Sequence, residues 1–413
     1  MQPTADDLGQ PITDEWVTHH FDHLSPVMSG HLDEAMARMR VVCPVAHSEE
    51  WRGFWIVSRY EDVLRVAQDW ETFTSTEGIT VPSGPPGSGV PAIPEMLDPP
   101  EHRIFKRLIN AYFTPAVVGQ NEDATRRIVT RLIDGFVEDG RCDFMDAFAN
   151  PFPGLVFFDL FLHAPAAEMD EINAAASQAA RTTEAGAAEA RAALHEWIAG
   201  FVERRRREPP RGDVVDAVLN ADIDGRPITP TEIVGVIQLL LFGGLDTTAG
   251  ALGGMMLRFC RQPEIPAMLR EQPELIPDAV EEMLRLDPPF VFIARTATRD
   301  TEIAGTPIGK GEKVLIAWAS ANRDEGEFPD PDTFHIDRGT NRHIAFGAGP
   351  HRCAGSNLAR MNLRIAVGEL VTRLHDLKLA EGAEPIPFHS HFSRSPATVP
   401  ITFTPGTRLI PAV

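Results

Sequence analysis

One cysteine carries the strongest chemical signal in this chain. Phe346–Gly355 reads F-G-A-G-P-H-R-C-A-G, which sets Cys353 among glycines, behind an aromatic ring and just ahead of a helical pattern. Gly347 and Gly349 allow a tight turn and a close approach to a flat ligand. Amides at the start of a helix after Cys353 would aim N–H groups at its sulfur and favour the thiolate, the form that binds metals. A structural cysteine in a glycine-rich turn is the other reading, since free cysteine commonly serves as a small core residue. A second signal is Gly243-Gly244-Leu245-Asp246-Thr247-Thr248, inside the most apolar part of the chain. Two adjacent glycines cost about 1 kcal/mol each against alanine in a helix interior. An acid and two hydroxyls then sit where apolar side chains would pack better. The pattern suits either a close helix crossing or a polar opening, and hydroxyls that bond back to a carbonyl bend helices. Glu282-Met283-Leu284-Arg285 places opposite charges at i, i+3, which alone is an ordinary surface pair.

The elements that must position these residues are mostly helical. Leu32–Arg40, Tyr60–Gln68, Glu101–Phe113 and Asp123–Val137 carry apolar residues at three- and four-residue spacing. Met169–Arg207 is rich in Ala, Glu and Arg and reads as one or two long surface helices. Thr231–Arg261 is apolar on nearly all sides, which predicts a helix buried in the middle of a large domain. Thr229-Pro230-Thr231-Glu232 marks its start, an N-cap with proline at the first helical position. Leu275–Leu286 and Asn357–Leu374 complete the helices. Strands are expected at Phe54–Val57, Ile303–Ile308, Lys313–Ala317 and Val399–Thr404. The fold class is therefore mainly α with a small β portion. The breaker-rich stretches Val81–Pro94 and Glu208–Gly212 are too short to be linkers, so residues 1–413 are expected to form one large domain. Val81–Pro94 reads as a loop over a pocket.

Composition narrows the function. A formal net charge of −21 argues against nucleic acid as a partner, which needs clustered Lys and Arg. Cys43, Cys142, Cys260 and Cys353 lie far apart with no C-x-x-C pair, which suits neither zinc nor a disulfide framework and fits a reducing cytosol. Asp6, Asp7, Asp14 and Glu15 leave no apolar run for a signal peptide. Ile233–Leu245 looks too short to span a bilayer and contains Gln238. A soluble, cytoplasmic protein is expected.

Phe346, Gly349, Cys353 and Gly355 match every fixed position of F-x-x-G-x-x-x-C-x-G, so the segment resembles the haem-binding loop of the cytochrome P-450 family. The resemblance runs from roughly Trp51 to Ile401. It implies a single large P-450 fold carrying haem b (iron protoporphyrin IX), with Cys353 as the iron ligand; there the thiolate pushes electron density that favours O–O cleavage. It implies that Glu282 and Arg285 form a buried structural network with Arg338. Asp246 and Thr247 look like the family's acid–alcohol pair, which delivers protons during oxygen activation, beside glycines that open a groove for dioxygen. Leu97–Arg103 resembles the entry to the helix over the haem edge, so His102 would bind a propionate. Lys106 stands where the family commonly has Arg, keeping the charge but losing the planar fork. Arg295 and His351 match the other propionate partners.

The same resemblance assigns the substrate pocket to the Val81–Pro94 loop, Leu239–Gly243, Pro289–Ile293 and Phe392–Ser393. Leu239, Gly243, Val291, Ile293 and Phe392, with Phe290 and Phe292, would give a wall for a small or medium hydrophobic substrate. Gly243–Thr247 is similar to the camphor-hydroxylase branch, which points toward terpenoid-like molecules. No G-x-G-x-x-G follows a strand, so no nicotinamide or flavin module is expected. Electrons would come from a ferredoxin-type carrier with its own reductase. Arg103, Arg107 and Arg352, with Arg360 and Arg364, would gather on the cysteine side of the haem as its docking face. The expected activity is a monooxygenase that uses O2 to hydroxylate a C–H bond. The retained Thr247 argues against a peroxide-driven enzyme of the same fold. The acid–alcohol pair argues against a haem-thiolate sensor.

Overall fold

In the computed structural model, which describes residues 11–84, 89–164, 186–384, 387–389 and 392–410 with isolated positions between 168 and 175, helices dominate. In chain order those used below are α1 (Met28–Val42), α2 (Tyr60–Gln68), α3 (Glu101–Asn110), α4 (Glu122–Asp134), α5 (Ala187–Arg207), α6 (Pro230–Gly244), α7 (Asp246–Arg261), α8 (Ile276–Leu286) and α9 (Ser356–Arg373). The chain forms two compact units, each assembled from three separate stretches.

The first unit takes Met1–Phe105, Glu282–Cys353 and Ile386–Arg394. Its framework is a five-stranded sheet of β1 (Val45–Ser48), β2 (Phe54–Val57), β3 (Phe73–Thr74), β4 (Phe292–Ala297) and β5 (Lys313–Ala317), in the order β1-β2-β5-β4-β3. Only β2 and β5 run parallel, with Val314 opposite Trp55; the other neighbours are antiparallel. One face packs Phe21, Met28, Phe54, Phe292 and Leu315, and the other packs Val63, Val66, Ile293, Ile316 and Trp318. Burial on both faces explains why all six residues of β4 are covered and why that strand shows no alternation in sequence. The strand expected over Ile303–Ile308 is a hairpin instead. Ala304 and Gly305 turn it with φ of 47° and 83°, between Thr301–Ile303 and Thr306–Ile308.

The second unit takes Lys106–Glu281, Ala354–Pro385 and Ser395–Val413. It holds a three-stranded antiparallel sheet with Pro400–Thr404 between His375–Leu379 and Arg141–Asp143. Of the helical stretch expected at Met169–Arg207, Ala187–Arg207 forms α5, and most of residues 170–185 lie outside the described residues. The expected central helix is two helices. α6 opens on a reciprocal capping box: Thr229 accepts from the Glu232 amide, and the Glu232 carboxylate accepts from the Thr229 amide. It ends at Gly244; Leu245 departs to φ −95°, ψ −73°, and α7 begins at Asp246.

Pro230–Arg261 together span 32 residues, with a hydropathy of 1.5 in their most apolar window, which is long and apolar enough to cross a membrane. The shorter segment read from the sequence stopped at Leu245, but the apolar run resumes at Ala249. Within the structure 56% of that window is buried, as in a core helix.

Candidate functional site

The loop that carries Cys353 is shaped by backbone. Gly347 and Gly349 adopt φ of 71° and 67°, in the left-handed region. The amide of Cys353 donates to the Phe346 carbonyl at 2.8 Å, and that of Gly347 to Ile344 at 2.9 Å. Asn322 accepts from the Ile344 amide at 2.7 Å, tying the loop to the segment after β5. At Gly349 a Cβ would lie 2.5 Å from the Ala67 carbonyl oxygen, so the end of α2 admits only glycine there. Gly355 is the N-cap of α9, which starts at Ser356. The thiol of Cys353 belongs to an exposed residue, whereas Cys142 and Cys260 are desolvated until their thiols titrate at about 12. Of the four cysteines Cys353 alone is exposed, the setting in which a thiol can meet a ligand.

Behind the loop, Glu282 and Arg285 are fully buried and meet in two bonds of 2.8 Å each. The Nε–H of Arg338 is shared between both oxygens of the same carboxylate, at 2.9 and 3.1 Å. Asn341 and the amide of His335 complete its shell at 3.0 and 3.1 Å. These partners hold the Glu282 carboxyl below its ordinary range against the opposing push of burial, Arg285 contributing first among them. Arg285 also reaches the carbonyls of Asn322 and Pro331 at 2.8 and 2.7 Å. A pair that would be a solvated surface contact by spacing alone is thus the hub that fixes the approach to the cysteine loop. Asn341 and His335 were not read from the sequence, because neither side-chain type nor spacing marks them.

A set of cationic and imidazole side chains lies in the same unit. Arg295 projects from β4 with 3% of its surface exposed. Burial pushes its guanidinium below the ordinary range, and Glu95 and Asp98 pull it back up. The rings of His102 and His351 stand 4.4 Å apart, and Ser75 bonds His351 at 3.2 Å. Glu95 was missed in the sequence. Its carboxylate lies 3.4 Å from Arg295 and 3.5 Å from His351, and nothing in its proline-rich surroundings signals that role. Lys106, on α3, is counted with the second unit and is half-buried.

In the second unit, Leu239 and Gly243 sit on α6, and Asp246 and Thr247 open α7. The Thr247 hydroxyl donates to the Gly243 carbonyl at 3.0 Å, across the break at Leu245. This is the back-bonding that bends helices. A Cβ on Gly243 would meet no atom within 4 Å, while one on Gly244 would touch Phe157 at 3.5 Å. A side chain at Gly244 would thus make ordinary contact with Phe157, and open space lies beside Gly243.

The expected apolar wall divides. Val291 and Ile293 are 0% and 4% exposed and belong to the two faces of the sheet core, so packing consumes them. The reason is that Phe292–Ala297 is a central strand. Phe290 and Phe392 remain half-buried, with rings stacked at 5.6 Å and 10°. In the Val81–Pro94 loop, Val81 and Ile93 are buried, and residues 85–88 lie outside the described residues. Arg103, Arg107 and Arg352 are exposed. Arg360 is committed to Glu281 by two bonds of 2.7 Å, which removes it from the expected docking set.

The donor chemistry fits a haem. An accessible thiol suits the iron, and a buried guanidinium whose paired carboxylate, Glu95, stands 3.4 Å away suits a further anion such as a propionate, with imidazoles in the same unit. When bound, haem b activates O2 so that one oxygen atom can be transferred to a substrate. Within the first unit, the residues that would hold it are Cys353 at the iron and Arg295, His102 and His351 at the propionates.

The fold and this donor set define a haem-thiolate oxygenase, and comparison with known proteins agrees. The cytochrome P-450 family model matches residues 161–403. A steroid C26-monooxygenase from Mycolicibacterium smegmatis is 34% identical over 390 residues, covering 92% of this chain and 95% of that protein. Cytochrome P-450-terp from Pseudomonas sp. is 32% identical over 393 residues, covering 87% and 90%. The solved structure of cytochrome P-450 CYP109Q5 from Chondromyces apiculatus superposes with a TM-score of 0.85 at 30% identity, covering 95% of this chain and all of that one. The chain belongs to the cytochrome P-450 family and is a haem b monooxygenase.

Proposed function

We propose that this monooxygenase hydroxylates a small to medium hydrophobic substrate of the terpenoid or steroid class, with electrons from a separate ferredoxin in the cytoplasm. The observation that carries the catalytic part is the break between α6 and α7, where Thr247 bonds the Gly243 carbonyl beside open space. A hydroxyl held by one backbone acceptor can exchange it for a ligand, and Asp246, next in the chain, is the acid that resupplies its proton. Cys353 ligates the iron. Arg295, His102, His351 and Lys106 neutralise the propionates. Leu239, Gly243 and Phe392 border the substrate. The substrate class draws on the half-buried Phe290–Phe392 stack and on relatives named for steroid and terpene oxidation. Arg103, Arg107 and Arg352 are exposed cations suited to an acidic carrier, whose docking would weaken with salt.

The test has two arms. Terpenoids and steroids are screened on the purified haem protein for a Soret shift, and those that bind are incubated with NADH, ferredoxin and reductase for product analysis. A hydroxylated product from either class supports the reading; binding and turnover confined to polar or ionic compounds reject it. In the second arm, the reduced carbon-monoxide complex should show the long-wavelength Soret band of thiolate ligation and lose it in Cys353→His. A Cys353→Ala protein that keeps the band removes Cys353 as ligand.

A further inference from the structure

Phe392 sits in the turn of a hairpin made by Pro387–His389 and Arg394–Pro396. Backbone bonds lace this turn to the segment ahead of β4. Val291 donates to the Phe392 carbonyl at 2.6 Å, Ser393 bridges Phe290, and Arg394 donates to the Pro289 carbonyl at 2.8 Å. The two rings of the stack are therefore carried on two short segments, each of which needs an anchor.

Both anchors belong to one chain of ion pairs. Two residues after Phe392, the Arg394 guanidinium forks onto both oxygens of Asp33 on α1, at 3.0 and 3.3 Å. Asp33 also meets Arg323 at 3.4 Å. Arg323, largely buried, donates to the Leu286 carbonyl at 2.9 Å and faces Asp287 at 3.4 Å and Asp332 at 2.7 Å. Leu286 and Asp287 lie immediately ahead of Pro288-Pro289-Phe290. One cluster thus grips the chain just before Phe290 and just after Phe392, and Asp33 is the carboxylate that joins its two arginines. An exposed ion pair contributes little to stability, but a forked, partly buried Arg–carboxylate contact fixes direction as well as distance.

We infer that Asp33 and Arg394 are positioning residues that set the spacing of the Phe290–Phe392 wall and, through it, the fit of bulky substrates. This rests on the reading that Phe392 borders the substrate. Neither residue touches the substrate; each acts through the turn.

The experiment is a double-mutant cycle on the haem-loaded protein, with Asp33→Asn, Arg394→Gln and the double variant. Clotrimazole, whose three aryl groups reach the pocket wall, and imidazole, which is too small to do so, are titrated spectrally. Each single variant should weaken clotrimazole about tenfold and leave imidazole unchanged, and the double variant should lose no more than either single one, as expected for contacting residues. The inference is overturned if the losses add, if imidazole weakens equally, or if clotrimazole binding is unchanged. Phe392→Ala separates the underlying reading. When it weakens clotrimazole but the pair variants do not, only the inference fails. When Phe392→Ala leaves clotrimazole untouched, the reading fails and the inference goes with it.

Discussion

At Gly349 an added methyl would press to 2.5 Å from a backbone oxygen, whereas at Gly243 it would meet nothing within 4 Å. The two glycines belong to the two regions that carry the chemistry, and they serve opposite ends. Around Cys353 the chain is over-determined: left-handed glycines, a loop closed by backbone bonds, and a buried carboxylate shared by two arginines. At the α6–α7 break open space lies beside Gly243, and the Thr247 hydroxyl bonds the Gly243 carbonyl across it. A metal ligand gains from being held still. A proton-handling hydroxyl gains from a bond that can be exchanged, and a helix supplies one cheaply by failing to continue.

The contrast can be broken most severely at Glu282. Glu282→Ala would strand Arg285 and Arg338 in a buried site, which costs about 3–5 kcal/mol for a broken buried pair; it should lower the urea midpoint sharply and impair haem retention. A loss within about 1 kcal/mol would mean that the network is redundant. Next come the glycines themselves. Gly349→Ala should destabilise by about 1–3 kcal/mol through its φ of 67° and its contact with Ala67. Gly243→Ala should stabilise by up to about 1 kcal/mol, since alanine is the better helix former. Equal effects in denaturant unfolding would erase the distinction between the two regions.

Thr247→Ala should change stability by no more than about 1 kcal/mol, yet raise the hydrogen peroxide released per NADH consumed severalfold with ferredoxin and a bound substrate. An unchanged ratio would leave Thr247 with a structural role only. The smallest effect is expected at the capping box. Hydrogen bonding to Arg226 is the main cause that draws the Glu232 carboxyl from 4.5 down to about 2. A depressed acid stabilises the fold above its unfolded value and loses that contribution as pH falls toward its folded value. Wild type should therefore exceed Glu232→Gln in melting temperature above pH 4.5, and the two should converge as pH approaches 2.

Much of this was legible in the sequence where a single period or a fixed spacing governs. Tyr60–Gln68, Phe54–Val57 and Lys313–Ala317 carry the bounds that their patterns gave. The cysteine loop matches a fixed pattern of residues, whereas the Glu282–Arg285–Arg338 hub came only from the family resemblance, since spacing alone makes Glu282–Arg285 a surface pair. Elements set by tertiary surroundings were not legible. Phe292–Ala297 lies between two other strands and is buried on both faces, so it lacks the alternation that marks a strand; only its first two residues, Phe292 and Ile293, fell within the segment Pro289–Ile293 assigned to the pocket wall. Leu245 breaks a helix inside an otherwise apolar stretch, and no proline marks the place. Glu95 joins Arg295 and His351 only because a loop folds back some 200 residues from β4.

The interleaved make-up of the first unit bears on how the chain comes to fold as it is synthesised. β2, complete at residue 57, has as its parallel neighbour β5, which ends at residue 317. The turn that buttresses β4 arrives only at residues 392–394. A growing chain must therefore carry apolar sheet faces unpaired for most of translation, and contacts this distant in sequence make closure slow. The second unit is no better placed, since Pro400–Thr404 forms the centre of its sheet. Neither unit can mature before the other's segments have emerged, so truncated products should be aggregation-prone rather than partly functional.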